Sequence, residues 1–415
     1  KIKSMNFKEL GLNRPILRAV AEKNYDSPTP VQERTIPLVL SKVDIIASAQ
    51  TGTGKTAAYA LPILQLLIDR QDVPKKGKKI RALIVSPTRE LAIQIQDDFK
   101  AYGQYINLDT AVVFGGSSLE PQIEILKKGV DILVATPGRL LDLHKQDIIN
   151  LDYVETLVLD EADLMLDMGF IDDVKKIERL CPAEKQTLLF SATMPFKVVQ
   201  LANTILKDPK KIEITPTSSA AAKVMQLLYY VPKQNKIELC LHILRNTIKG
   251  NVLIFRRTKH GVDKLEETFL KNNYKVESLH GDKSQSERQE ALNRFKNRET
   301  NILIATDVAA RGLDIDNLDN VVNFDLPSIP ETYVHRIGRT GRAGQSGTSY
   351  SLCSADEKVY VSTIQKLMQR PIDIVEDHPY PLNPTAKPEV HKRKGSKYRK
   401  GRKSEASKKK KKRWY

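Results

Sequence analysis

The stretch Ile45-Ile-Ala-Ser-Ala-Gln-Thr-Gly-Thr-Gly-Lys-Thr56 runs from four residues of strand length into a glycine-rich loop, and helix formers follow it. The loop is a Walker A pattern with Ala49 where the general form has glycine. Gly52 and Gly54 let the backbone bend until successive N–H groups face one phosphate. The N-terminal end of the following helix adds its positive potential. In such a cradle Ala49, Gln50, Thr51, Gly52, Thr53 and Gly54 wrap the anion, Lys55 reaches the β and γ phosphates, and the Thr56 hydroxyl ligates Mg²⁺.

Working outward, short apolar runs recur at 45–48, 82–86, 111–114, 132–135, 156–160 and 187–190, and again at 252–255, 302–305 and 321–324. Helical-period segments such as 89–99 and 262–272 separate them. Alternation of this kind predicts an α/β chain with parallel sheets covered by helices on both faces. The pattern pauses at Thr215-Pro-Thr-Ser-Ser-Ala-Ala-Ala222, which reads as a linker. The expected division is an N-terminal segment at 1–33, a first domain at 34–214, the linker at 215–222, a second domain at 223–380 and a tail at 381–415. Each domain is long enough to bury its own core, and a cleft between two such domains is a common ligand site.

A phosphate loop needs an acidic partner at a strand end for its metal. Thr156-Leu-Val-Leu-Asp-Glu-Ala-Asp163 supplies it. Asp160 falls at the carboxyl edge of the expected sheet and would hold Mg²⁺ through water. Glu161 would orient and deprotonate the attacking water, and Asp163 would couple the site to its neighbours.

The string Asp160-Glu-Ala-Asp163 resembles the name-giving motif of the DEAD-box RNA helicases, and further motifs of that family follow in order across roughly residues 5–375. Phe7, Tyr25 and Pro28-Thr-Pro-Val-Gln32 are similar to the Q motif. Pro87-Thr-Arg-Glu-Leu-Ala92, Gly115-Gly116, Thr136-Pro-Gly-Arg139 and Ser191-Ala-Thr193 come next. The second half has Val252–Phe255 with Arg257-Thr-Lys259, Gln285-Ser-Glu-Arg288, Thr306-Asp307, Ala310-Arg-Gly-Leu-Asp314 and His335-Arg-Ile-Gly-Arg-Thr-Gly-Arg342. The compact loops and N-terminal wording are similar to the bacterial RhlE type.

The resemblance implies two tandem RecA-like domains, ATP and Mg²⁺ as cofactors, and RNA as partner. It implies that Gln32 reads the adenine edge, that Tyr25 stacks on the base and that Asp314 contacts the ribose. Arg339 and Arg342 are implied as arginine fingers, with Ser191, Thr193, Asp163 and His335 coupling the nucleotide site to closure. The implied RNA contacts are Pro87, Arg89, Gly115, Gly116, Thr136 and Arg139 in the first domain. In the second they are Arg257, Arg288, Thr306, Asp307, Arg311 and Gly312. These groups suit phosphates and sugars, which fix position without reading sequence. The reaction expected is RNA-stimulated ATP hydrolysis with local separation of short duplexes. Rival expectations are an ATP-locked RNA clamp, against which multiple-turnover release would tell, and a DNA helicase, against which RNA-specific ATPase stimulation would tell.

Composition narrows the class. The chain has 415 residues, of which 40% are apolar and 28% charged, as expected of a globular protein. No apolar run approaches the roughly 18 residues of a membrane span, and no charged-then-apolar leader opens the sequence. Cys181, Cys240 and Cys353 are far apart and lack metal-ligand spacing, which favours a reducing compartment and a cytoplasmic protein. The net charge is +17, and residues 381–415 hold 15 Lys or Arg against 2 Glu. A basic tail on a nearly balanced body is expected to be disordered and to act as an extra RNA-contacting arm. A monomer is expected.

Overall fold

The computed structural model describes residues 6–49, 52–69, 79–214, 224–310, 315, 318–341 and 347–383. The expected linker, the tail beyond residue 383, and the predicted site residues Gln50, Thr51, Arg311, Gly312, Asp314 and Arg342 lie outside them.

Two sheets organise the described chain. The first contains β1 (Ile45–Ser48), β2 (Ala82–Val85), β3 (Thr110–Val113), β4 (Ile132–Ala135), β5 (Thr156–Leu159), β6 (Gln186–Ser191) and β7 (Lys210–Glu213). The second contains β8 (Val224–Tyr230), β9 (Val252–Arg256), β10 (Val276–Leu279), β11 (Ile302–Thr306), β12 (Asn320–Asn323), β13 (Gly347–Cys353) and β14 (Asp373–Ile374). Pairing is parallel in both, in the orders β3-β4-β2-β5-β6-β1-β7 and β10-β11-β9-β12-β13-β8-β14. Counted from the first strand of each half, the two orders are identical, so the chain carries one topology twice.

Side chains explain the near-continuous apolar runs. Ile45 and Ala47, Ala82 and Ile84, and Leu188 and Phe190 enter one core with Tyr59, Leu61 and Leu64 of the helix Lys55–Asp69. Their sequence neighbours Ile46, Leu83, Val85 and Leu189 enter the core on the opposite face. Successive residues of a strand point to opposite faces, so a sheet covered on both sides needs apolar residues at every position.

The predicted runs correspond to β1–β6, β9, β11 and β12 within a residue or so at each end. Five strands were not anticipated. β7 and β10 are sheet edges, and in β7 only Ile212 is buried. β14 is an edge of two residues. β8 and β13 are interior but carry polar residues on one face. There Val321 pairs with Ser349, Asn323 with Ser351, and Ser349 with Gln226. These buried groups satisfy one another: Asn323 Nδ2 donates to the Ser349 and Ser351 hydroxyls, and Tyr333 donates to Gln226 Oε1 at 3.2 Å.

The expected boundary at 33/34 falls inside the helix Pro30–Leu40. Phe7, Leu10, Leu12, Ile16 and Val20 share the first core with Ile36 and Val39 of that helix. We propose that residues 6–213 act as one unit. Because β5, β6 and β1 are adjacent, the loops after them converge at one carboxyl edge, where ligands of such sheets bind.

Candidate functional site

The loop after β1 turns through Gly52 (φ 81°) and Gly54 (φ 88°). A Cβ at Gly54 would strike the Gln32 carboxamide, so the glycine serves a close approach as well as a left-handed backbone. Gln32 is buried; its Oε1 accepts from Thr29 N at 2.9 Å and its Nε2 donates to Gly54 O at 3.2 Å. The adenine-reading candidate is thereby fastened to the phosphate loop. Tyr25, upstream of the helix that carries Gln32, is exposed, its hydroxyl 3.3 Å from that of Tyr102.

Lys55 opens the helix after the loop and is buried, with Nζ 2.7 Å from Glu161 Oε1. Burial alone would push its ammonium pKa down, but the charges of Glu161 and Asp160 outweigh this and hold it above its usual value. Asp160 follows β5. Its Oδ2 accepts from the Tyr59 hydroxyl at 3.0 Å and its Oδ1 from Glu161 N at 3.0 Å. Burial, opposed by Lys55, raises its carboxyl to about 6. Glu161 adopts a left-handed backbone (φ 54°, ψ 55°), a conformation costly for a side-chain-bearing residue and frequent at functional sites.

Thr56 and Asp160 both act on the Tyr59 hydroxyl. Among the described residues no group of three or more His, Cys, Asp or Glu could hold a metal. A hydroxyl and one carboxylate nevertheless fit Mg²⁺, which takes few protein oxygens and completes its shell with water and substrate phosphates.

The coupling candidates form one network. Asp163 N donates to Ser191 Oγ at 3.1 Å, Thr193 donates to Asp163 Oδ2 from both N (2.9 Å) and Oγ1 (2.8 Å), and Ser191 Oγ donates to Thr193 O at 2.6 Å. Burial would raise the Asp163 pKa, yet the charges of Lys55 and His335 and the Thr193 and Ser191 hydrogen bonds hold it below the usual value. His335 belongs to the second half, on the helix Pro330–Ile337. A cavity of about 290 Å³ separates the halves here, with Glu161, Asp163 and Thr193 on one wall and Thr332, His335 and Arg339 on the other.

A second face gathers cations. Arg89 Nη1 donates to Gly116 O at 3.2 Å, and a Cβ at Gly116 (φ 72°) would collide with that guanidinium. Arg139 donates to Ser117 O at 3.0 Å. Burial first, then the charges of Arg288 and Arg139, lower the Arg89 pKa, with Glu90 opposing. Three guanidiniums from the two halves thus feel one another. Pro87 and Thr136 are buried beside them, while Gly115 is half-exposed. Glu90 crosses the seam: its Oε1 accepts from Arg288 Nη2 at 3.0 Å and from Gln285 Nε2 at 3.1 Å.

In the second half Arg257 is half-exposed and donates to Glu357 Oε1 and Leu326 O, both at 3.0 Å. Thr306 ends β11, and Asp307 opens the next helix. Sequence reasoning assigned no role to Tyr59, Glu90, Arg336 or Glu357. Glu90 and Arg336 lie inside quoted motifs, so their position was visible though their partners were not.

A family model described as DEAD/DEAH box helicase matches residues 29–202, and one described as Helicase conserved C-terminal domain matches residues 235–344. The DEAD-box ATP-dependent RNA helicase RhpA of Helicobacter pylori (strain ATCC 700392 / 26695) is 42% identical over 371 residues, covering 89% of this chain and 74% of that protein. The chain belongs to the DEAD-box ATP-dependent RNA helicases. Among solved structures, S. cerevisiae Dbp5 bound to RNA and ADP BeF3 is 31% identical with a TM-score of 0.79, covering 89% of this chain and 95% of that one. Mss116p bound to ssRNA and AMP-PNP is 30% identical with a TM-score of 0.82, covering 91% and 80% respectively. As in this DEAD-box chain's sequence, no described helix is long and apolar enough to cross a membrane.

Proposed function

We propose that this DEAD-box protein closes on ATP and RNA together, separates short duplexes locally and hydrolyses ATP to let go. The observation that carries this reading is that Glu161 and Arg339 line one cavity whose walls come from different halves of the chain. The likeness to Dbp5 and Mss116p, each held with RNA and a nucleotide, supports the same closed arrangement.

ATP enters between Gln32 and the phosphate loop. Gln32 uses one N–H and one lone pair within the protein and has one of each for the adenine edge. Tyr25 stacks on the base, and Asp314 reaches the ribose. Ala49, Gln50, Thr51, Gly52, Thr53 and Gly54 cradle the phosphates. Lys55 pairs with Glu161 in this structure; an arriving γ-phosphate competes for its ammonium and releases the Glu161 carboxylate to orient the attacking water and take its proton. Thr56 and Asp160 would hold Mg²⁺, which would supply neutralisation of phosphate charge. Arg339 and Arg342 stabilise the charge that spreads over the γ-phosphate oxygens, and in related nucleotidases such a finger is worth roughly 10³–10⁵ in rate.

RNA lies along Pro87, Arg89, Gly115, Gly116, Thr136 and Arg139, and continues over Arg257, Arg288, Thr306, Asp307, Arg311 and Gly312. Contacts of this type grip backbone rather than bases, and 2′-hydroxyl recognition selects ribose. The molecule works as a cytoplasmic monomer, in keeping with its three scattered cysteines, and its compact loops and N-terminal wording suit the RhlE type. The test is Glu161→Gln. ATP and RNA binding should persist while RNA-stimulated ATP turnover and multiple-turnover strand displacement fall by about 10²-fold or more. Wild-type turnover in this variant would remove Glu161 from the chemistry.

A further inference from the structure

Arg336 is buried, only 3% exposed, and lies in the last turn of the helix that carries His335 and leads to Arg339. Its guanidinium borders a small cavity shared with Asp307, Thr332, His335 and Arg339, and it has an unusual set of partners for a side chain turned away from solvent. Nε and Nη2 donate to Asp307 Oδ1 and Oδ2 at 2.6 and 2.8 Å, a two-pronged pair. Nη1 donates to Asn323 Oδ1 at 3.1 Å and to Asp325 O at 2.7 Å. The Phe255 ring lies under it, 4.8 Å from the guanidinium carbon. Planar donors in a fixed fork set direction as well as distance.

Two of these partners lead to the expected RNA path. Asp307 follows Thr306 directly at the end of β11. Asp325 accepts from Arg257 N at 2.9 Å through Oδ2. The same helix packs its Tyr333 hydroxyl against Gln226, inside the polar layer that also contains Asn323. The layer gives the helix a fixed set of hydrogen-bonding positions where an apolar surface would let it slide. One side of this helix therefore faces the inter-half cavity through Thr332 and His335, and the other is clamped to the segments that end β11 and β12.

We propose that Arg336 is the positioning residue that ties the nucleotide-facing His335 and Arg339 to the RNA-facing Thr306, Asp307 and Arg257. This rests on the function proposed above and adds its internal link: the helix cannot take up its place against Glu161 and Asp163 without carrying the Asp307 and Asp325 segments with it. Arg336 touches no substrate. It acts by making two sets of contacts move as one body, so its removal loosens their linkage before it alters either site.

The measurement is the affinity of a fluorescent oligoribonucleotide with and without saturating adenylyl-imidodiphosphate. Their ratio is the coupling between the two ligands, commonly about 5–150-fold where sites are linked. Arg336→Gln keeps a donor for Asn323 and loses the fork on Asp307. Its ratio should fall to within about twofold of unity, with Arg336→Lys intermediate because charge persists without the planar fork. A merely structural role would lower the melting temperature and leave the ratio alone; a wild-type ratio in Arg336→Gln protein that melts cooperatively overturns the proposal. Should that variant not melt cooperatively, Asp307→Asn replaces it, and a wild-type ratio there overturns the proposal equally. A ratio of one in the unaltered protein would overturn the function itself, a result distinct from loss of coupling in the variant alone.

Discussion

Glu90 shows how much one carboxylate can decide. It is 6% exposed and sits in the first turn of the helix Arg89–Tyr102, where a negative charge is favoured by the helix dipole. That local rule accounts for its presence but not for its contacts with Arg288 and Gln285 of the other half. Those contacts exist only when the halves meet, so their loss weakens closure. Glu90→Gln retains the shape and one acceptor but removes the charge, and charge-assisted bonds of this kind are worth about 1.5–3 kcal/mol. Since about 1.4 kcal/mol is tenfold, the RNA concentration for half-maximal ATPase stimulation should rise about tenfold. A titration that superimposes on wild type would show that the seam contact contributes nothing to closure. At this scale the sequence displayed the chemistry-bearing residues one by one, and the structure brings Lys55, Asp160 and Glu161 together. It could not display Glu90 with Gln285, because the pair is 195 positions apart and neither residue type is unusual where it stands.

Among elements, legibility followed burial. Strands covered by apolar side chains on both faces, such as Ile132–Ala135 and Ile302–Thr306, read directly as runs. Gly347–Cys353 did not, because Ser349 and Ser351 face Asn323 and Tyr333 and not oil. A serine in a strand reads as a turn unless its partner is known. The end of the same sheet hides a buried ion pair. Lys236 Nζ lies 2.5 Å from Glu357 Oε2 and donates to Phe324 O at 2.7 Å, and both side chains are under 5% exposed. Glu357 also accepts from Leu326 N at 3.1 Å and from Arg257, so it fixes the segment after β12 beside the expected RNA path. Removing one partner of a buried pair leaves the other charged and unmatched, which costs about 3–5 kcal/mol. Lys236→Met should therefore lower the denaturation midpoint by an amount equivalent to about 3 kcal/mol. A shift equivalent to less than about 1 kcal/mol, the range of an exposed pair, would mean that Glu357 is satisfied without Lys236.

For the molecule as a whole, the repeated topology accords with the two tandem RecA-like domains that the resemblance implied, and only the detailed strand order was not legible, since the two halves share it through different residues. What sequence did reveal at this scale is the uneven charge: the tail from 381 to 415 carries 15 of the basic residues against 2 Glu, while the chain as a whole is at +17. In the function proposed above, the body grips RNA at the seam through a handful of guanidiniums whose geometry depends on closure. A tail acting as an RNA arm would need no closure, because a polyanion attracts a run of lysines at any distance within the screening length. The two modes are separable by salt. Each phosphate contact made by a cation lowers the log–log salt slope by roughly 0.7 on a single strand. Truncation after Asn383 should flatten the slope measured without nucleotide by several such increments. The nucleotide-dependent gain in RNA affinity should survive, because it arises from residues on the two sheets. Binding isotherms for both proteins at four salt concentrations, with and without adenylyl-imidodiphosphate, give both quantities from one set of titrations. Equal slopes would show that the basic run does not touch RNA. A lost nucleotide-dependent gain would show that the tail takes part in closure and is not an independent arm.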